Sequence, residues 1–241
     1  MPRIFGGSEA APHSSPWQVA IVGELSRKIF CGGALISDRH VLTSSIFTQP
    51  DQQLFIDNED FEVLVGIHNL NSVEGANRHR ILKSSVHPDY ARKNIRIPIR
   101  DSGDNINYVV YPQFSFDFTI FHLLKPVEIG PKIAPVCLPS PTLNDEFLNG
   151  KNLEVSGWGW KNQFRPSVDT LDNYLYSAIV VGIKNEQCRN EITNFIQLSN
   201  INIDFGVISE SMLCSAHPYR GTCPFFGDSG GNFTVKFRFT V

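Results

Sequence analysis

The sequence predicts an all-β protein, built either as a sandwich or as a pair of barrels. Three observations carry this: short runs rich in β-branched and aromatic residues, clusters of Gly, Pro, Asn and Asp between them, and very little helical periodicity. In chain order the runs are WQVAIVG (17–23), FEVLVGIHNL (61–70), FTIFHLL (118–124), LEVSGWG (153–159), LYSAIVVGI (175–183) and NFTVKFRFTV (232–241). Only KNEQCRNEI (184–192) has a mildly helical character. The Pro-spaced stretch from Lys125 to Pro141 reads as an extended connector between two β modules. In the last run Phe233, Val235, Phe237, Phe239 and Val241 alternate with Thr234, Lys236, Arg238 and Thr240, the pattern of a half-buried strand. The chain stops inside it, which leaves a sheet edge to be paired.

Composition narrows the function classes. With 241 residues, 41% of them apolar, the chain can bury a full core. The formal charge of −3 supplies no basic surplus, so a nucleic-acid partner is not expected. No run approaches the roughly 18 apolar residues that cross a bilayer, and Met1-Pro2-Arg3 lacks the apolar core of a secretory signal. The five cysteines, Cys31, Cys137, Cys188, Cys214 and Cys223, form no C-x-x-C pair. Disulfides are therefore expected rather than zinc or dithiol chemistry, with at least one thiol left over, and neither a metal nor a cofactor is implied.

Several motifs then occur in a fixed order. They are RIFGG (3–7), PWQVAI (16–21), CGGALIS (31–37), HVLTSS (40–45), VHPDY (86–90), DFTIFHLLKPV (117–127), IAPVCLP (133–139), VSGWG (155–159), MLC (212–214) and GDSGG (227–231). Taken together the chain resembles a trypsin/chymotrypsin-type serine protease domain, family S1, from Arg3 almost to Val241. The resemblance implies a chymotrypsin-like double antiparallel β-barrel: an N-terminal barrel over 4–127, a connector over 128–141 and a C-terminal barrel over 142–241. Family members continue through a further strand, a last cysteine and a C-terminal helix, so the second barrel is expected to be truncated.

Catalysis in that family follows from elementary acid–base chemistry. A serine hydroxyl is a poor nucleophile at neutral pH and must pass its proton to an imidazole that a carboxylate orients. By resemblance Ser229 is the nucleophile, and Gly227 with the Ser229 N–H forms the oxyanion hole. Asp117 matches the orienting carboxylate, with Asp104 as a rival and a turn-forming aspartate as the plainer role. Arg3-Ile4 resembles a zymogen cleavage site whose freed amino group pairs with Asp228.

Departures from the pattern are as informative. The motif T-A-A-H-C falls on Thr43, Ser44, Ser45, Ile46 and Phe47, so a hydrocarbon stands where the base belongs. Loss of the histidine costs about 10⁶ in turnover in a comparable triad, roughly 8 kcal/mol of barrier. Of the seven histidines, His87 and His122 match family positions outside the active site, while His13, His40, His68, His79 and His217 are expected in loops or strand flanks. By the same resemblance Gly221, two before Cys223, falls at the position expected to floor the primary pocket, where a carboxylate would select Arg or Lys. Between Cys223 and Gly227 lies PFF, and Phe225 or Phe226 either re-aims the Gly227 N–H or bulges outward. The stretch from Ala91 to Phe116, with Arg92, Lys93, Arg96, Arg100, Tyr108 and Tyr111, is longer than usual. It reads either as a cover or binding face beside the cleft or as a solvated loop.

The resemblance also sorts the cysteines. Cys188 and Cys214 match a family disulfide worth on the order of 3 kcal/mol in the loop-entropy model. Cys31 loses its partner to Phe47, Cys137 matches the cysteine that ties the domain to a pro-segment, and Cys223 would pair beyond the end of the chain. This usage implies an extracellular protein with signal and pro-region upstream of Met1. The sequon at Asn232 agrees with that, although it falls in a predicted strand. The expected function is a catalytically inactive homologue acting as a monomer by binding protein or peptide ligands in a proteolytic cascade. An active trypsin-like endopeptidase using a displaced histidine, and a truncated product without function, are the alternatives.

Overall fold

The computed structural model describes residues 7–24, 29–45, 61–72, 77–100, 106–140, 145–159, 173–198, 211–216 and 232–234. Strands β1 (Ser8–Glu9), β2 (Gln18–Gly23), β3 (Ile29–Leu35), β4 (His40–Thr43), β5 (Phe61–Val65), β6 (Asn77–Val86), β7 (Ala91–Arg100), β8 (Ile106–Ser115) and β9 (Thr119–Leu123) come first. Helix α1 (Asp145–Leu148), β10 (Asn152–Gly157), β11 (Tyr176–Ile183), α2 (Asn185–Leu198), β12 (Cys214–Ala216) and β13 (Asn232–Thr234) follow. Six of the strands close into a barrel in the order β2-β3-β4-β9-β6-β5.

Strand β2 shows why its sequence is apolar at nearly every position. Val19 and Ile21 point into the barrel with Leu35, Val41, Val63, Phe121 and Leu123. Ala20 and Val22, on the opposite face of the same strand, pack with Leu64, Trp158 and Leu175 between the barrel and the second unit. A strand buried on both faces loses its period-two pattern and reads as a continuous apolar run. The second unit is a sheet in the order β1-β11-β10-β13, with β12 pairing the far part of β11, over Leu153, Val155, Ala178 and Val180. Ser156 Oγ donates a 2.7 Å hydrogen bond to Gln18 Oε1 across the two units, and both residues are buried.

At Gly66 the backbone has φ of 71°, and a Cβ would run into Ile133 of the connector. Glycine is therefore required where the chain leaves β5 beneath that crossing segment.

Three expectations from the sequence are corrected. The stretch from Ala91 to Phe116 is not a loop: β7 and β8 pair antiparallel from Ala91↔Ser115 to Arg100↔Ile106 as a separate two-stranded sheet. The helix runs beyond 192 to Leu198. His79 lies within a strand, β6, and is buried. The strand expected over 232–241 is present from Asn232 to Thr234, and the rest of that run lies outside the described residues.

Candidate active site

The barrel register brings two segments together at one end. Strands β4 and β9 pair as His40↔His122, Val41↔Phe121, Leu42↔Ile120 and Thr43↔Thr119. The residues just past Thr43 and just before Thr119 therefore meet, namely Ser44 and Ser45 with Asp117 and Phe118.

Three hydroxyls in this corner have acceptors or partners of their own. Thr43 Oγ1 donates to the Gly32 carbonyl at 2.8 Å. Ser44 Oγ donates to Asp117 Oδ2 at 2.6 Å. Ser45 Oγ lies 2.7 Å from Thr119 Oγ1. Ser44 is 6% exposed and Asp117 half-buried, so the hydroxyl–carboxylate bond is short, charge-assisted and shielded from water. Beside it Phe116 holds φ of 51°, a left-handed conformation that is uncommon for a bulky residue. Phe116 is fixed there by its N–H donating to Ser211 Oγ at 3.0 Å and by stacking on the His87 ring at 4.8 Å.

Six of the histidines are described, and most are engaged elsewhere. His40 Nδ1 meets Ser37 Oγ at 2.7 Å, His68 Nε2 meets Glu9 Oε1 at 3.0 Å, and His122 Nε2 meets Ser85 Oγ at 2.9 Å. His87 Nδ1 accepts the Asp89 N–H at 3.1 Å. His79 Nε2 is buried with no hydrogen-bond partner among the described residues, and burial holds that imidazole below the usual histidine range, with the Lys125 carbonyl opposing. His122 is also lowered, by burial and then by Lys83 and His40. His13 is lowered by burial and then by Lys132 and His68.

The cysteines divide cleanly. Cys188 and Cys214 are joined, with Cα atoms 6.3 Å apart, tying the start of α2 to β12. Cys31 is free and fully buried, and burial pushes its thiol up to about 12 against a weaker pull from the Thr43 hydroxyl. Cys137 is free and exposed.

Of the site residues expected from the sequence, Asp117 is described and is brought to Ser44. Arg3, Ile4, Ile46, Gly221, Gly227, Asp228, Ser229 and the rival Asp104 lie outside the described residues, as do His217 and Cys223. Sequence reasoning missed the Ser44 contact. Its signal was present, because two serines stand where the family motif carries two alanines. Among the described residues no group of three or more His, Cys, Asp or Glu side chains is placed to hold a metal ion, and no helix is long and apolar enough to cross a membrane.

A closed six-stranded barrel, a second antiparallel sheet packed on it and a carboxylate at the barrel mouth define the chymotrypsin-like class of β protein. The trypsin family model matches residues 4–240, and the chain belongs to that family. It is 29% identical over 231 residues to the clotting factor G beta subunit of Tachypleus tridentatus, covering 95% of this chain and 64% of that protein. It is 27% identical over 242 residues to vitamin K-dependent protein C of Mus musculus, covering 99% and 44% respectively. The chain thus spans less than two thirds of the length of either relative. Among solved structures it superposes on neuropsin, a serine protease expressed in the limbic system of mouse brain. That match has a TM-score of 0.67 at 24% identity and covers 95% of this chain and 81% of that one. It supports the fold.

Proposed function

We propose that this chain is a catalytically inactive member of the trypsin family that acts by binding other proteins in a proteolytic cascade. The observation that carries the reading is the sequence at the base position. Ile46 cannot accept a proton, and the carboxylate that would orient a histidine there instead accepts the Ser44 hydroxyl at 2.6 Å. A nucleophile at Ser229 with no base is left at the reactivity of an ordinary alcohol, about 10⁶ below a complete triad. Gly221 in place of a pocket carboxylate bears on specificity alone, since the determinant for Arg or Lys is absent.

The remaining assignments follow from the family pattern. Asp117 is the orienting carboxylate, and Gly227 with the Ser229 N–H is the oxyanion hole. Residues 4–127 and 142–241 are the two barrels, joined by 128–141. Cleavage between Arg3 and Ile4 and pairing of the new amino group with Asp228 would change conformation and partner affinity without producing a protease. Kinship with a clotting factor subunit and with protein C supports an extracellular cascade as the setting. Exposed Cys137 is available to link the domain to a pro-segment.

Turnover of fluorogenic peptide esters by the purified full chain, before and after nicking at Arg3, tests the reading. Rates at the buffer background are expected. Saturable hydrolysis that disappears in Ser229→Ala would overturn it.

A further inference from the structure

We propose that His40 and His122, side by side on the outer wall of the barrel, form a chelating pair for a first-row divalent transition metal ion of the zinc, nickel and copper class. The two face each other directly across the β4–β9 ladder, with ring centroids 4.8 Å apart and ring planes at 79°. Val41, Phe121 and Leu123 point into the barrel core, so strand alternation sends both imidazoles outward, where each is half-buried.

The separation suits a shared ion. A metal held about 2.0–2.1 Å from one nitrogen of each ring, at angles of roughly 90–110°, places the ring centroids about 4.5–5.2 Å apart. The observed spacing already falls in that range, so chelation asks for rotation of the rings and not for movement of the strands. Both strands belong to the closed barrel, which fixes the spacing before any ion arrives and removes much of the ordering cost.

Each ring is also held on its other side. His40 Nδ1 lies 2.7 Å from Ser37 Oγ, and His122 Nε2 lies 2.9 Å from Ser85 Oγ. With the ring N–H donating to the hydroxyl, the lone pair falls on the opposite nitrogen. Those nitrogens, Nε2 of His40 and Nδ1 of His122, have no hydrogen-bond partner among the described residues. Ligating histidines characteristically carry such an oxygen on the second nitrogen, which sets tautomer and ring orientation. A plain edge-to-face packing contact requires the spacing but not a hydroxyl on each ring.

Charge narrows the choice of ion. Burial, Lys83 and His40 together hold the His122 imidazole below the usual histidine range, so it is neutral at physiological pH and its lone pair is free to coordinate. Lys83, which faces His122 across β6 and β9, opposes a cation. The pair therefore attracts metal through imidazole lone pairs and not through charge, which disfavours oxygen-seeking ions such as magnesium and calcium. Two imidazoles leave the remaining positions to water, the arrangement of an exchangeable ion rather than a structural one. The pair stands three residues back along both strands from the Thr43–Thr119 step, about 10 Å from that corner, so metal binding is independent of whether Ser229 turns over.

The test is calorimetric titration of the full chain with nickel chloride at about pH 7.5, after accessible thiols, Cys137 among them, are capped with iodoacetamide. Saturable binding is expected, and His40→Gln and His122→Gln should each weaken it at least about tenfold, because a single imidazole forfeits the chelate. His13→Asn removes a histidine from a different part of the surface and should stay within about twofold. Magnesium chloride should not bind. One equivalent of copper chloride should show the superhyperfine pattern of two nitrogens in its electron paramagnetic resonance spectrum, a reading of the unaltered chain that stands even if a substitution upsets folding. No saturable nickel binding, undiminished binding in either histidine variant, magnesium binding of equal strength, or a copper spectrum without coupling to two nitrogens would each overturn the proposal.

Discussion

Replacing Ser44 by alanine removes one atom, the Oγ that donates to Asp117 Oδ2 at 2.6 Å. Ser44 is 6% exposed, so an alanine methyl fits its space and the change is confined to the hydrogen bond. Bonds to a charged group contribute about 1.5–3 kcal/mol, and a carboxylate left short of a donor bears its own desolvation cost. Asp117 is half-buried and has interactions besides Ser44, which places the expected loss in the lower part of that range, about 1.5–2 kcal/mol. For a chain of this size each kcal/mol moves the melting midpoint by about 2–4 °C, so Tm should fall by roughly 3–8 °C. Thermal melts of the wild type, Ser44→Ala, Asp117→Asn and the double variant complete a cycle, with a coupling of about 1 kcal/mol or more expected between the two positions. A Ser44→Ala midpoint within error of the wild type, together with zero coupling, would refute the claim that this hydroxyl holds the carboxylate.

Further outcomes follow from buried groups and from register. His79 is held below the usual histidine range in the folded state, so the unfolded chain binds its proton first as pH falls. Its contribution is complete above about pH 6.5 and is lost as pH drops below that towards the folded value. Chemical denaturation at pH 7 and pH 5 should therefore show a smaller acid loss in His79→Gln than in the wild type, and parallel losses would count against the burial argument. Cys137 should react with iodoacetamide in the native protein, whereas Cys31, buried with its thiol raised to about 12, should react only after denaturation; peptide mapping reads both. Asn232 is paired in the β10–β13 ladder with Ser156, which is buried, and this strand position predicts that protein from a glycosylating host carries no glycan there. A mass shift at that peptide on deglycosylation would contradict the register.

Much of the fold was legible because burial leaves a trace in composition. Strands β2, β9, β10 and β11 bury one or both faces and announce themselves as β-branched and aromatic runs. Strand β6 does not, because its apolar content is slight and its arginines are answered by distant carboxylates. Arg78 pairs with Glu62 at 2.6 Å and Arg80 with Glu24 at 3.0 Å, partners that no local pattern reveals. The β7–β8 hairpin was hidden for a related reason. Its basic and proline residues resemble a solvated loop, and only the ten-register pairing makes it a sheet. At the site, the family resemblance singled out Asp117 beside Asp104 as its rival, but the partner of the Asp117 carboxylate was not legible. Ser44 sits at a position where the motif specifies a small residue, and the direction of a hydroxyl is decided by the strand pairing that brings β4 beside β9.

The central claim is that Ser229 has no base to take its proton, and covalent labelling addresses it directly. Incubation of the full, Arg3-nicked chain with a fluorophosphonate probe, followed by intact-mass measurement, should show no adduct under conditions that label an active trypsin-family enzyme to completion. A stoichiometric adduct mapped to Ser229 and absent from Ser229→Ala would contradict the account.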